Sequence, residues 1–235
     1  ETKARTFLVF GGVGDTFDVA DVPLDKLNCS ILHAGYILLL PGLDAPDAEY
    51  GTRMARLLHD AQAKGILTSV DVVSEVGDRY KTLVPPSLRY ADYFIVNEIE
   101  AGKTVGVALR GPDERLLIDR IPEVLMKLKA LGVKRWAVIH APEGGFGIDE
   151  AGEYVEVPSL KLPEGFIAGT VGAGDAFCAG VLLGAHRGEN LRLAIENGVA
   201  AAACSLRAAG ASEGVVPLEE VRALAASLPR QTLRG

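Results

Sequence analysis

The chain has 235 residues, of which 49% are hydrophobic, so it can bury a sizeable core in one large α/β domain or in two small ones. It carries 24 basic and 31 acidic residues, a formal charge of -7, which argues against a nucleic-acid or anionic-membrane surface. The longest apolar run, residues 31–40, is too short to cross a bilayer. Cys29, Cys178 and Cys204 lie far apart in apolar sequence and are predicted to be reduced core residues of a cytoplasmic protein.

Short apolar runs alternate with helical patterns from residue 29 onward, which is typical of an α/β fold. Residues 29–34 are predicted to form the first strand. Within residues 48–64, apolar side chains recur at helical spacing, at Met54, Leu57 and Leu58 among others. This segment is therefore predicted to be an amphipathic helix that ends at Gly65.

Three further strands are predicted, and a polar residue follows each of them. They are residues 66–70 before Asp71, 93–96 before Asn97 and 135–139 before His140. Ligands of open α/β sheets bind outside the carboxyl ends of the parallel strands, so these three side chains are expected to converge there. The alternative is that Asp71 and Asn97 only cap the turns that follow them.

The rest of the chain is predicted to form helices and one hairpin. Pro122 is expected to be the first residue of a helix that Gly132 closes, and residues 145–157 resemble a hairpin whose pairing partner the sequence does not indicate. Three helices are predicted to begin near Gly172, Asn190 and Pro217.

The most informative segment is residues 169–177, GTVGAGDAF, a glycine-rich turn that leads into an apolar helix. Small residues at 172–174 let the backbone approach a ligand, and the first-turn N–H groups favour an anion such as a phosphate. Asp175 would repel a phosphate unless it acts as a base. The alternative is that Asp175 only complements the helix dipole and that the glycines only punctuate the helix.

Residues 170–177, TVGAGDAF, resemble the second signature of the ribokinase-like (PfkB) carbohydrate kinases. Other features follow in the family's order: Gly35 and Tyr36 after the first strand, Asp71 after the second, residues 97–100 as an Asn-x-x-Glu motif, Asn197 before an alanine-rich helix, and residues 207–211 near the C-terminus. The resemblance covers nearly the whole chain. It implies a three-layer α/β fold with a mostly parallel central sheet, helices on both faces and a small β lid.

The same resemblance implies an ATP-dependent kinase that transfers the γ-phosphoryl group to a hydroxyl of a sugar or sugar acid. The N–H groups of Gly172, Ala173 and Gly174 would form the anion hole. Asp175 would be the general base and would also contact the sugar. The alternative is a non-catalytic member of the family that binds nucleotide or sugar as a sensor.

The resemblance also assigns the cofactor and ligand positions. Asn97 and Glu100 would bind Mg²⁺, through water, or else they are a capping asparagine beside a surface glutamate. The remaining assignments are His140, Gly145, Thr170 and Asn197 to the nucleotide, and Asp15, in the small-residue turn 12–15, to the sugar. A homodimer through the lid is a further expectation.

Two departures from the family pattern affect these expectations. Gly169 stands where many relatives carry an aspartate that helps to hold a monovalent cation, which leaves activation by K⁺ open. The family's early Gly-Gly signature and sugar-binding aspartate are not found, so residues 1–16 are interpreted as the remnant of the lid and residues 17–235 as the nucleotide-binding and catalytic domain. The first residues are then expected to lie at an incomplete sheet or lid edge.

Other site classes have weaker support. Residues 101–104, AGKT, end like a Walker A loop but lack its first glycine, and no G-x-G-x-x-G follows the first strand as a Rossmann dehydrogenase requires. The four histidines have no metal-ligand spacing with one another or with the cysteines, so no zinc site is predicted. A G-x-S-x-G hydrolase elbow is absent as well.

Overall fold

Eight strands lie within residues 10–234, the part of the chain that the computed structural model describes. They are β1 (Ile31–Ile37), β2 (Pro46–Asp47), β3 (Gly51–Thr52), β4 (Leu67–Val72), β5 (Tyr93–Asn97), β6 (Trp136–Ala141), β7 (Gly144–Ile148) and β8 (Tyr154–Pro158). Six of them form one sheet in the order β1-β4-β5-β6-β7-β8, and β2 pairs with β3 in a separate hairpin. Strands β1, β4, β5 and β6 are parallel, so the prediction of a mostly parallel sheet is confirmed.

Eight α-helices connect and cover these strands in the described residues. They are α1 (Pro41–Asp44), α2 (Arg53–Ala63), α3 (Tyr80–Leu88), α4 (Glu98–Val105), α5 (Ile121–Ala130), α6 (Ala173–His186), α7 (Leu191–Ser205) and α8 (Leu218–Ser227). The three helices expected after residue 170 begin within one residue of their predicted positions. Helix α2 begins five residues later than predicted, because the β2–β3 hairpin precedes it and the Thr52 hydroxyl caps it by accepting from the Ala55 N–H.

The sheet separates two apolar cores, because successive side chains of a strand point to opposite faces. Phe94 and Val96 of β5 pack into the core beneath α2 to α5, whereas Tyr93 and Ile95 pack into the core beneath α6 and α7. This is the predicted three-layer arrangement, with helices on both faces. It also determines that α6, which carries the glycine-rich turn, lies on one face of β4 and β5.

The predicted hairpin is formed by β7 and β8, and its pairing partner is β6. Strand β7 runs antiparallel to β6, with His140 opposite Gly145. Gly145 is therefore inside a strand, and not in a ligand-binding turn as its assignment required. A Cβ placed on Gly145 would lie 2.5 Å from Ile195 Cγ2 and 2.8 Å from Phe177 Cζ. Its burial against these side chains argues against a nucleotide contact.

The prediction that all three cysteines are core residues is wrong for one of them. Cys178 and Cys204 are buried, but Cys29 is exposed, because it precedes β1, the strand at the edge of the sheet. Among residues 10–234, β1 has a strand neighbour on one side only, β4, and this leaves the start of β1 accessible to solvent. All three thiols are free.

The predicted lid remnant falls largely outside the described residues, since residues 1–9 precede them. Residues Gly12–Asp15 form a 3₁₀-helix, and Phe10 is almost fully exposed. The β character and dimer role of the lid therefore stay predictions. Among residues 10–234, no helix has the length and apolar character needed to span a membrane.

Candidate active site

The glycine-rich turn forms the N-terminus of α6. Gly172 is the N-cap residue with φ of +77°, and its carbonyl accepts from the Ala176 N–H at 2.8 Å. A Cβ on Gly172 would lie 2.6 Å from the Ala211 carbonyl oxygen, so only glycine fits here without backbone movement. The N–H groups of a helix's first turn have no acceptor within the helix, and they can bind an anion at this point.

His140, near the end of β6, packs against this turn. A Cβ on Gly174 would lie 3.0 Å from His140 Cε1, and the His140 and Phe177 rings are 5.0 Å apart. Loss of solvation lowers the pKa of His140 to about 4, although the negative charge of Asp175 opposes the shift. The His140 ring is therefore neutral at pH 7, and it packs beneath the turn, next to Gly174 and Phe177.

The Asp175 carboxylate is exposed at the first turn of α6, where it accepts a hydrogen bond from the Tyr36 hydroxyl. Burial, followed by this hydrogen bond and by the charge of Asp175, raises the pKa of Tyr36. Tyr36 lies at the end of β1, so residues 139 positions apart meet here. The sequence placed Tyr36 in the family order without a role, and the structure shows that its hydroxyl contacts Asp175 Oδ1.

Asp71 also reaches this site, from the end of β4. It is 7% exposed, and its Oδ1 accepts from the Val72 N–H at 2.7 Å. Burial raises the pKa of Asp71 to about 8, and the charges of Glu100 and Asp175 add to the shift. This hydrogen bond is to the next residue of the same strand and not to the turn that follows, and the side chain lies within electrostatic reach of two other carboxylates.

Asn97 and Glu100 form a capping box at the start of α4. Asn97 Oδ1 accepts from the Glu100 N–H at 2.9 Å, and Glu100 Oε2 accepts from the Asn97 N–H at 3.0 Å. Ser74 joins them, since its hydroxyl donates to Glu100 Oε1 at 2.6 Å and accepts from Asn97 Nδ2 at 3.2 Å. Glu100 is buried rather than on the surface, and burial raises its pKa.

The side-chain oxygens of Asn97 and Glu100, with Asp71 nearby, are of the kind that binds Mg²⁺. Burial raises the pKa of Asp71 most, and the charged groups that add to the rise, Glu100 and Asp175, are both acidic. A divalent cation at this position would relieve that repulsion. Carboxylates and waters are the ligands that Mg²⁺ prefers, so the residues present fit the ion.

Asn197 lies on the wall of a second feature, a cavity of about 120 Å³ between α6, α7 and α8. Its carboxamide is already engaged: Nδ2 donates to Glu189 Oε2 at 2.7 Å, and Oδ1 accepts from Arg222 Nε at 3.1 Å. The other walls of the cavity are apolar or small, among them Gly180, Cys204 and Val221. Asn197 thus stabilises the wall through this network rather than presenting a free amide.

The remaining assigned residues are less closely grouped. Thr170 is exposed two residues before Gly172. Asp15 is exposed, and its carboxylate lies over Gly11, where a Cβ would come within 2.0 Å of Oδ1. A Cβ on Gly169 would lie 2.8 Å from the Ala209 carbonyl oxygen, so the backbone there would have to move to admit an aspartate.

The shifted pKa of His140 leads to a pH prediction. An unfolded chain binds the imidazole proton near the ordinary pKa of 6.5, whereas the folded protein binds it only near about 4. The free energy of unfolding should therefore fall as the pH drops from 6.5 to 4, by up to about 1.4 kcal/mol per unit from this group. Urea titrations across this range give the free energy of unfolding at each pH, and its dependence on pH should be weaker for His140→Phe than for the unaltered protein. An equal dependence in the two proteins would contradict the lowered pKa of His140.

A sequence model described as "pfkB family carbohydrate kinase" matches residues 2–218 of this chain. A 5-dehydro-2-deoxygluconokinase of Listeria innocua is 32% identical over 88 residues, a match that covers 37% of this chain and 26% of that protein. A second such enzyme, of Listeria monocytogenes, is 31% identical over 87 residues.

Solved structures show the same fold. The 2-dehydro-3-deoxygluconokinase of Thermotoga maritima superposes with a TM-score of 0.66 at 19% identity, over 90% of this chain and 66% of that one. Arabidopsis thaliana ribokinase complexed with ribose and ATP superposes with a TM-score of 0.60 at 20% identity, over 73% of this chain and 51% of that one. The chain thus spans about half to two thirds of the length of these structures, and a quarter of the Listeria protein.

Proposed function

Since this chain belongs to the pfkB family of carbohydrate kinases, we propose that it acts as an ATP-dependent kinase on a hydroxyl of a sugar or sugar acid. One observation carries the proposal: the Asp175 carboxylate stands exposed on the first turn of α6, directly after the small-residue turn at 172–174. A base and an anion-binding turn are thereby held on one rigid helix end.

In the proposed reaction, the acceptor hydroxyl oxygen forms a bond to the γ-phosphorus as the bond from that phosphorus to the bridging oxygen of ADP breaks. Asp175 takes the hydroxyl proton, and the Tyr36 hydroxyl holds Asp175 Oδ1 in place. The N–H groups of Gly172, Ala173 and Gly174 donate to the phosphoryl oxygens and stabilise their charge. Positioning contributes more than basicity, because the transition state of phosphoryl transfer is loose.

Asn97 and Glu100 are proposed to hold Mg²⁺ through water, and Mg²⁺ would offset the charge of the nucleotide phosphates. Ser74 supports the pair by its hydrogen bonds to both side chains. Burial raises the pKa of Asp71, and the nearby charges of Glu100 and Asp175, which add to the rise, favour a cation here. A cation held at Glu100 would also lessen the repulsion between the carboxylates of Asp71 and Glu100.

The cavity between α6, α7 and α8 is proposed to receive the base of the nucleotide. It opens on the same helix that carries the anion-binding turn, and its small and apolar walls suit a flat aromatic ring. Thr170 and His140 would flank the phosphates at the other end. Asn197 would act through the cavity wall, since Glu189 and Arg222 engage its carboxamide.

Keto-deoxy sugar acids are the first substrates to test. The Listeria and Thermotoga relatives are named as kinases of 5-dehydro-2-deoxygluconate and 2-dehydro-3-deoxygluconate, which belong to this chemical class.

The buried free thiols of Cys178 and Cys204 favour a reducing compartment, so we place the reaction in the cytoplasm.

The direct test measures ADP formation with a panel of acceptors: these two sugar acids, ribose and water alone. Turnover with a sugar acid or sugar, absent without Mg²⁺, supports the proposal. Saturable binding of nucleotide or sugar with no turnover for any acceptor would instead favour the sensor.

The role of Asn97 in binding Mg²⁺ can be separated from its role as a helix cap. Asn97→Ala removes the cap of α4, and the free energy of unfolding should fall by about 0.5–2 kcal/mol. Asn190→Ala removes the matching asparagine cap of α7 and should cost about the same. Only Asn97→Ala is expected to raise the Mg²⁺ concentration needed for half-maximal turnover. If both variants needed the same Mg²⁺ concentration for half-maximal turnover, Asn97 would act only as a helix cap.

A further inference from the structure

The fold brings together an imidazole, a carboxylate and a thiol that lie far apart in the sequence. Ile31 of β1 and Leu67 of β4 pack toward α6 and α7. Side chains alternate along a strand, so His33, two residues after Ile31, and Asp71, four residues after Leu67, point to the same face. Cys178 lies on that face within α6. No local spacing in the sequence could have indicated this cluster, because its members meet only across the fold.

The three groups are close enough to share one ion. A ring nitrogen of His33, a carboxylate oxygen of Asp71 and the sulfur of Cys178 all lie within 4.8 Å of one another. Asp71 and Cys178 are 7% and 4% exposed, whereas His33 is accessible on the edge strand. The cluster is therefore buried at one end and open at the other.

The orientation of the His33 ring suits metal binding. Its Nδ1 forms a hydrogen bond with the Ser69 hydroxyl at 3.0 Å, which leaves Nε2 as the second nitrogen. A Cβ on Gly35 would lie 3.5 Å from His33 Nε2 and 3.9 Å from Asp71 Cβ, so both side chains border the space above this glycine. Metal-binding histidines commonly form such a second hydrogen bond, which fixes the ring.

The surrounding charge favours a cation. Asp175 acts electrostatically on His33, Asp71 and Cys178, and Glu100 acts on Asp71 as well. Burial and the charges of Asp71 and Asp175 raise the pKa of the Cys178 thiol. A divalent ion bound here would change the electrostatic potential at His33, Asp71 and Cys178 from negative to positive.

We propose that His33, Asp71 and Cys178 bind a divalent ion of the zinc class. Zinc accepts nitrogen, oxygen and sulfur ligands together, whereas Mg²⁺ requires oxygen, so the site differs in kind from the one at Asn97 and Glu100. The thiol proton passes to the buffer as the sulfur–metal bond forms. Three protein ligands and the open side at His33 leave a fourth position for water.

Because Cys178 lies one helical turn beyond Asp175, bound zinc should inhibit the kinase reaction, a consequence that rests on the proposed function.

The binding test is independent of any activity. The protein is stripped with a chelator and titrated with Co²⁺, whose bond to a thiolate gives a charge-transfer absorption, and then with Zn²⁺ in a calorimeter. We expect one equivalent, a thiolate band, and displacement of Co²⁺ by Zn²⁺. His33→Ala and Cys178→Ser should each abolish the band, and Ser69→Ala should weaken binding by about 10- to 100-fold.

Two matched variants control for adventitious binding. Cys29→Ser removes the exposed thiol, and His59→Ala removes a histidine of α2. Both should keep the band and the stoichiometry. Binding that survives His33→Ala, or that is lost in Cys29→Ser, would overturn the proposal. Circular dichroism checks that each variant is folded, and since His33 is exposed, His33→Ala remains decisive if Cys178→Ser does not fold.

Discussion

Asp175→Asn is expected to lower kcat for the best acceptor by roughly 10²- to 10⁴-fold, the range for removal of a general base. Asparagine keeps the size of the side chain and can still accept from the Tyr36 hydroxyl, but it cannot take the proton of the attacking oxygen. KM for ATP should change little, because the variant leaves the backbone N–H groups of the turn in place. Steady-state ADP release with varied acceptor and varied ATP separates these two quantities.

Asp119→Asn is a suitable control, since the Asp119 side chain is 95% exposed and lies outside the proposed site. It should leave kcat and KM unchanged. If Asp175→Asn retained kcat within about threefold, the base assignment would fail. A parallel loss of unfolding free energy would point to a structural role instead.

Gly172→Ala is expected to lower both stability and turnover. Alanine with φ near +77° costs about 1–2 kcal/mol, and its Cβ would meet the Ala211 carbonyl oxygen at 2.6 Å. The steric contact with Ala211 must displace the turn, and with it the N–H groups that are proposed to bind the phosphoryl oxygens. Loss of one such donor typically lowers kcat by about 10²- to 10³-fold, so a decrease of that order is expected.

Gly65→Ala separates the two effects. Gly65 has φ of +78°, but a Cβ there meets nothing within 4 Å. This variant should lose a similar amount of unfolding free energy from backbone strain and keep full kcat. Urea denaturation and steady-state kinetics on both proteins make the comparison. Equal kcat in the two variants would show that the geometry of the 172–174 turn does not matter to turnover.

Local patterns in the sequence predicted much of the fold. Helix periodicity, the left-handed glycine at 65 and the strand ends at Asp71, Asn97 and His140 all depend on neighbours within a few residues. Those expectations erred mainly at boundaries. The start of α2 was missed because residues 46–52 form a hairpin whose strands are only two residues long. Helix α3, with Pro85 and Pro86 inside it, shows no simple helical pattern.

The features of the candidate site likewise differ in whether the sequence alone could identify them. The turn at 172–174, Asp175 and the capping box of Asn97 and Glu100 are each contained in one short segment, so residue type and spacing identified them. The burial of Gly145 and the engaged amide of Asn197 escaped prediction, because both depend on which helix packs above them.

By itself, then, the sequence determined the α/β class and the resemblance to the carbohydrate kinases, and it predicted Asp175 as a base beside an anion-binding turn. Only the tertiary structure decided that Tyr36 reaches Asp175, that Glu100 acts on Asp71, and that His33 faces Cys178. The physical reason is strand order. The sequence specifies the pattern within each strand and helix, but the groups that meet across a sheet are set by the packing of segments far apart along the chain.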